Sequence, residues 1–322
     1  MRLPQPQLDA IGFLFDNPAD QIHAMGKQCP FEEAEEIKRL FDLGLPPVTS
    51  PEALSVMLGY SPGFVWSLLN RTHRYYRHFL IPKGSGQRHI AAPRVALKAI
   101  QKWLSVHFQR TWQPSDNVFG FVPGRSHIDA ASRHLSASWV YSVDIENFFP
   151  SVSIDRVQIA LSGLGYRTEK SIATLSSVCC LRGHLVQGAP TSPLLSNMVL
   201  HDIDQKLASI AEGHNVVFTR YADDIVFSGR GEVPNDVLVA IKATIVGDGW
   251  VLADRKEELS SLPKRLKVHG LLVHGEKLRL TKGYRNRIRA YRHLSGRGKI
   301  AEDDQAKIAG HINYAVQVEK TG

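Results

Sequence analysis

Residues 216–228, VVFTRYADDIVFS, place two runs rich in Val, Ile, Phe and Thr on either side of Tyr221-Ala222-Asp223-Asp224. Short runs of branched and aromatic residues around a polar break predict two strands joined by a tight turn. The turn carries adjacent carboxylates, and like charges a few ångströms apart oppose each other's ionisation unless a cation neutralises them. A divalent metal that prefers hard oxygen ligands, Mg²⁺ above all, meets that need and keeps positions open for substrate phosphates. Two solvated acids in a polar turn are the plainer alternative, since Asp is a common turn residue.

Upstream, Val140-Tyr141-Ser142-Val143-Asp144-Ile145-Glu146-Asn147-Phe148-Phe149-Pro150 alternates as far as Asp144 and then passes through an aromatic pair into a turn. This strand end supplies a third carboxylate. If the two strands are neighbours in one sheet, Asp144, Asp223 and Asp224 can hold two metals about 4 Å apart, the arrangement that clamps an in-line phosphoryl displacement. Between them lies LVQGAPTSPLLSN, residues 185–197, a loop punctuated by Gly and Pro that leads into a helix. Three such features in this order are not generic.

The segments DIENFFPSV (144–152), QGAPTSPLLSN (187–197) and YADD (221–224) resemble motifs A, B and C of reverse transcriptases, and those of bacterial retron reverse transcriptases most of all, over a stretch from Tyr75 to Leu280. The resemblance implies an α+β fold, a right-hand polymerase with fingers, a palm of antiparallel sheet plus helices, and a helical thumb. It implies RNA-directed DNA synthesis from dNTPs, with Asp144 and Asp223 holding two Mg²⁺ ions (Mn²⁺ serving in vitro), Asp224 auxiliary, and the Ile145 carbonyl completing one shell. Phe149, with Phe148 beside it, matches the steric gate that leaves no room for a 2′-hydroxyl. Gln187 falls where the family touches the nucleotide, and Tyr221 beside the primer or template. Retron membership further implies a structured non-coding RNA as template and primer, priming from a guanosine 2′-hydroxyl, and an RNA-linked single-stranded DNA product (msDNA). Host RNase H and an effector protein of an anti-phage defence system are the implied partners. A group II intron-like, diversity-generating or abortive-infection reverse transcriptase remains an alternative, as does a nucleic-acid-binding scaffold that restrains a toxin.

Composition agrees. The 322 residues are 43% hydrophobic and carry a net charge of +8, with a pI near 9.4, which suits a polyanionic partner. Cys29, Cys179 and Cys180 show no spacing for a zinc site, and free thiols in a reducing cytoplasm are expected. No apolar run suits a membrane span, and MRLPQPQLDA lacks the pattern of a signal peptide.

Residues 1–70 read as a helical extension. Phe31 to Leu43 is amphipathic, and Ser50-Pro51 and Ser61-Pro62 announce two further helices. Their spacing imitates a helix-turn-helix, but GFVWSLLN is too apolar to read a groove, and packing against the rest of the chain is expected. Residues 71–135 are assigned to the fingers, with a basic hairpin over 79–90 followed by a core-facing helix from Val95 to Phe108. The resemblance lays Lys83 and Arg88 of this hairpin over the triphosphate, and brings Arg125 to the template. Ala130-Ala131-Ser132-Arg133-His134 departs from the Asn-Ala-x-x-His element of retron enzymes by losing the asparagine, and His134 reads as structural.

Residues 136–265 form the expected palm, with finger helices interspersed, a helix over Val237–Val246 and a strand and turn over Trp250–Lys256. Lys256 fits the lysine of the family's Asn-x-x-Lys-Thr, while Ala253 and Glu257 replace its Asn and Thr; a place near the triphosphate follows for Lys256. Residues 266–280 resemble the primer-grip hairpin, and Val268-His269-Gly270 stands where retrons have the Val-Thr-Gly linked to recognition of their own RNA. In the basic stretch 281–322, Arg285, Arg289 and Arg292 share one helix face suited to tracking a duplex backbone. The length beyond Asp224 suffices for the primer grip and thumb, and no appended RNase H or endonuclease domain is expected.

Overall fold

The computed structural model describes residues 15–26, 29–84, 86–298 and 300–321. Two compact units interleave along the chain: Met1–Pro114 with Asn147–Leu200, and Ser115–Glu146 with His201–Gly322.

The first unit begins with four short helices, α1 (Pro18–Met25), α2 (Phe31–Asp42), α3 (Pro51–Leu58) and α4 (Pro62–Asn70). Asn17, Ser50 and Ser61 cap three of them by accepting a backbone N–H three residues on, with proline at the first helical position. Strands β1 (Tyr76–Lys83) and β2 (Gly86–Pro93) pair antiparallel from Tyr76↔Pro93 to Lys83↔Gly86, forming the basic hairpin. Helix α5 (Val95–Thr111) buries Leu97, Ile100, Leu104 and Phe108 along one stripe. The chain then contributes α6 (His127–Ser132) and β3 (Trp139–Asp144) to the second unit, and returns as α7 (Phe148–Ser151), α8 (Ile154–Leu164), α9 (Glu169–Cys179) and α10 (Ser192–Val199). Helix α4 packs on α9, and Glu52 of α3 bridges Lys170 of α9 at 3.0 Å. The pair that imitates a helix-turn-helix is therefore laid against its own unit.

The second unit is built on a four-stranded antiparallel sheet. Helix α11 (His201–Gly213) leads into β4 (Val217–Tyr221) and β5 (Asp224–Gly229), and α12 (Asn235–Gly247) leads towards β6 (Glu258–Ser261), giving the order β4-β5-β3-β6. Apart from the partly exposed Ser142 and Asp144, β3 is buried, as befits a strand paired on both edges. Of the strand and turn foreseen over Trp250–Lys256, the strand shrinks to one bridge, Leu252↔Ile145, and the turn is a 3₁₀ turn over Asp254–Lys256. β3 itself ends at Asp144, so the segment meets it only at that end, where the Ala253 N–H donates to the Asp144 carbonyl and the Glu146 N–H to the Val251 carbonyl, each at 2.8 Å.

The hairpin foreseen over Lys267–Leu280 gains a third strand: β7 (Lys267–Val268), β8 (Leu271–Leu272) and β9 (Arg279–Leu280) form their own sheet. Helices α13 (Lys282–Gly296) and α14 (Glu302–Lys320) follow. Val140 and Val226 of the large sheet, Val268, Leu271 and Leu280 of the small one, and Ile288, Ala315 and Val318 of the two helices bury into one core.

Candidate active site

Strand pairing gathers the acids. Asp144 ends β3 directly opposite Asp224, the first residue of β5, and Asp223 sits in the two-residue turn before it. The Asp223 carbonyl accepts from the Ile145 N–H at 3.1 Å, which ties the turn to the end of β3. Asp144 is only 15% exposed and Asp224 39%. Burial, reinforced by the charges of Asp223 and Asp224 and opposed by Lys256, holds the Asp144 carboxyl above the usual carboxylate range. That is the signature of a carboxylate short of positive charge, and hard oxygen donors at one strand end suit a divalent ion. Among the described residues no three ligating side chains converge on a point. Instead Asp144 Oδ1 accepts from Lys256 Nζ at 2.6 Å, and Asp224 Oδ2 from His269 Nδ1 at 3.0 Å.

The turn itself is strained and braced. Ala222 has φ +60°, a left-handed conformation that costs a residue with a Cβ roughly 1–2 kcal/mol. Arg220, fully buried, donates from Nη1 to the Ala222 carbonyl at 3.0 Å and clasps Asp204 of α11 through Nε and Nη2 at 2.7 and 2.6 Å. Burial pushes the Asp204 carboxyl up, and Arg220 pulls it back. On the other side Gly120 presses against the turn: a Cβ there would lie 2.2 Å from the Ala222 nitrogen. Neither Asp204 nor Gly120 was signalled by sequence. The glycine inside Phe119-Gly120-Phe121 was the available cue, since glycine in an apolar stretch marks close backbone approach.

Other foreseen residues fall as follows. Lys256 reaches Asp144, as given above. Tyr221 ends β4 with its ring 5.4 Å from that of His269 and 6.2 Å from that of His127. The Arg125 guanidinium is engaged within its own loop, donating to the carbonyls of Ser115 and Val118 at 2.6 and 2.7 Å and pairing with Asp116 at 3.1 Å. On α13, Arg285, Arg289 and Arg292 are exposed, while Tyr284, Ile288 and Tyr291 turn into the core.

In the first unit, the Gln187 carbonyl accepts from the Ala91 N–H of β2 at 2.9 Å. Gly188 follows at φ +117°, where a Cβ would meet the Ala91 oxygen at 2.8 Å. Phe148 is buried and Phe149 part-exposed, their rings 5.2 Å apart. Arg88 stands part-exposed opposite Ile81 in the basic hairpin. The side chain of Lys83 lies outside the described residues.

His134 is structural: it is 1% exposed, and its Nδ1 and Nε2 each lie 2.7 Å from a hydroxyl, those of Ser228 and Thr219. Burial, with a smaller contribution from His269, pushes it down to about 3. The unfolded chain takes up this proton below its ordinary value near 6.5, whereas the folded chain refuses it until about 3. Stability from His134 is therefore complete above about pH 6.5 and falls with pH, by about 2 kcal/mol between pH 6.5 and 5. Urea unfolding of wild type and His134→Gln at pH 7 and pH 5 checks this: the variant should lose less stability across the interval, and equal losses would refute it.

An antiparallel sheet backed by helices, with an acidic strand end facing an acidic turn, defines a template-directed polymerase of the right-hand class. The family model "Reverse transcriptase (RNA-dependent DNA polymerase)" matches residues 81–312. The retron Mx65 reverse transcriptase of Myxococcus xanthus is 33% identical over 84% of this chain and 69% of its own length. The retron Ec86 reverse transcriptase of Escherichia coli is 28% identical over 87% of this chain and 88% of its own. Among solved structures, a telomerase from Candida albicans aligns with TM-score 0.48 and 10% identity, over 73% of this chain and 55% of that one. The chain belongs to the reverse transcriptase family and is a retron-type RNA-directed DNA polymerase. Enzymes of this family use divalent metal ions, generally Mg²⁺.

Proposed function

We propose that this enzyme copies a structured non-coding RNA, serving as template and primer, into single-stranded DNA that stays linked to RNA, as part of a cytoplasmic anti-phage system with an effector protein. Asp144 and Asp223, with Asp224 and the Ile145 carbonyl, would hold two Mg²⁺ ions. When bound, these neutralise the triphosphate and activate the primer hydroxyl. The observation that carries the reading is the register Asp144↔Asp224 with Asp223 in the adjoining turn, which commits three carboxylates to one strand end.

The chain's own residues do the rest. Arg220 and Gly120 hold the acidic turn in its left-handed form. Lys256, already on Asp144, supplies a mobile cation for phosphate oxygens. Lys83 and Arg88 bind the triphosphate, and Gln187 positions the base pair. Tyr221, His269 and Arg125 lie along primer and template, and Arg285, Arg289 and Arg292 follow the duplex backbone. Host RNase H trims the RNA.

Phe149 acts as the steric gate, its part-exposed ring set on α7 beside the buried Phe148. Phe149→Ala is expected to raise the ratio of ribonucleotide to deoxynucleotide kcat/KM by about 10²-fold, because rejection here rests on excluded volume worth a few kcal/mol. Single-nucleotide extension with dNTP and rNTP measures the ratio, and an unchanged ratio would remove Phe149 from this role.

The test of the whole reading is purification from the native locus with bound nucleic acid, followed by denaturing gels before and after RNase and DNase. A discrete DNA with a covalent RNA remnant, absent when Asp223 and Asp224 are both changed to Asn, is the expected result. Bound RNA without DNA would instead favour a scaffold or a differently primed polymerase.

A further inference from the structure

In the turn between β7 and β8 the His269 side chain projects from a backbone in the left-handed conformation, at φ +48°. It is 7% exposed, and its ring packs 5.4 Å from that of Tyr221. Tyr221 in turn meets His127 edge-on, and His127 stacks on Tyr314 of α14, 5.5 Å between centroids, with Nε2 3.0 Å from the tyrosine hydroxyl. The imidazole is thus walled in by rings on one side.

Its polar contacts are one-sided. A carboxylate only accepts, so the proton lies on Nδ1, which donates to Asp224 Oδ2 at 3.0 Å. Among the described residues Nε2 is buried with no hydrogen-bond partner. His134 makes the contrast: buried in the core, it has a hydroxyl at 2.7 Å from each of its ring nitrogens. His269 leaves one buried nitrogen unpaired, at the expense of stability, and directs the other to a single atom of the acidic turn.

We infer that His269 is a positioning residue that sets the side-chain rotamer of Asp224 from the β7–β8 turn, leaving Oδ1 of that carboxylate available to a metal ion. This rests on the proposed metal-binding role of the acids. The hydrogen bond fixes one carboxylate oxygen before any ion arrives, which is how outer partners of ligating groups raise metal affinity. The substitution of histidine for the family's threonine in Val268-His269-Gly270 then has a consequence at the active site, because an imidazole spans the gap to Asp224.

The test uses Mn²⁺ as the probe, with binding followed by electron paramagnetic resonance on the full chain without nucleic acid or dNTP. His269→Asn keeps an N–H donor at the place of Nδ1, whereas His269→Gln moves it to the place of Nε2 and His269→Phe keeps only the ring. Expected is Mn²⁺ binding weakened by about 10–100-fold in the Gln and Phe variants and restored to within about threefold of wild type in the Asn variant. Melting temperature, measured on each, shows which variants fold. Equal affinities in all four proteins, or Asn and Gln variants weakened alike, would overturn the inference while leaving the polymerase reading intact. A wild type that binds no Mn²⁺ and extends no primer would overturn both.

Discussion

Asp223→Asn is expected to abolish DNA synthesis, and Asp144→Asn to do the same, each lowering the rate of primer extension by at least about 10³-fold. The magnitude follows from the charge each acid supplies: metal-held stabilisation of a transferring phosphoryl group is worth several kcal/mol, and 1.36 kcal/mol is a factor of ten. An amide keeps the shape and one acceptor oxygen but not the charge. The same substitutions should leave the fold intact, and at position 144 even firmer when metal is chelated, because burial and two neighbouring acids already disfavour the Asp144 carboxylate. Lys256 loses the charge of its partner in that variant but is half exposed, so water takes over its solvation. Steady-state extension on an RNA template, with thermal melting in EDTA beside it, measures both effects. A variant that keeps a tenth of the activity, or one that loses activity only by unfolding, would place the chemistry elsewhere. Asp224→Asn is expected to fall between these variants and wild type, since Asp224 is more exposed than Asp144 and is hydrogen-bonded to His269.

The strands that carry these acids were legible because their information is local. Val140–Asp144 and Val217–Ser228 have the branched, alternating character of strands, and the polar break at Ala222-Asp223 leaves a tight turn as the economical connection. Helix starts were legible for the same reason: Ser50-Pro51 and Ser61-Pro62 are caps written in adjacent residues. What the sequence withheld depends on proximity between distant segments. Nothing near Asp204 marks it as the partner of Arg220, and Gly120 reads as a loop glycine until the Ala222 nitrogen is found against it. His269, standing where the resemblance expects a threonine, carries no meaning in the linear sequence, because its acceptor Asp224 is on another strand. The strand half of the Trp250–Lys256 reading shortened for a related reason: its composition was adequate, but β3 ends at Asp144 and leaves it a single bridge at Ile145.

Arg220→Met is expected to destabilise the protein by about 3–5 kcal/mol, because it leaves the Asp204 carboxylate buried without its partner. For a unit of this size that is a fall in melting temperature of roughly 10 °C. Asp204→Leu should fall comparably, with a buried guanidinium left without its carboxylate. Replacing both at once separates the two duties of Arg220. A buried ion pair exchanged for packed apolar side chains often recovers its stability, since the desolvation of two charges is removed along with their attraction. The double variant should therefore melt close to wild type. Its activity should not return, because the donor that holds the Ala222 carbonyl is still missing and the left-handed residue before Asp223 is free to relax. Melting temperature and primer extension on the two single variants and the double variant decide the matter. If activity recovers together with stability, the pair serves only the fold. If stability recovers alone, Arg220 shapes the turn that presents Asp223, and the buried pair is how the palm keeps a strained alanine in place.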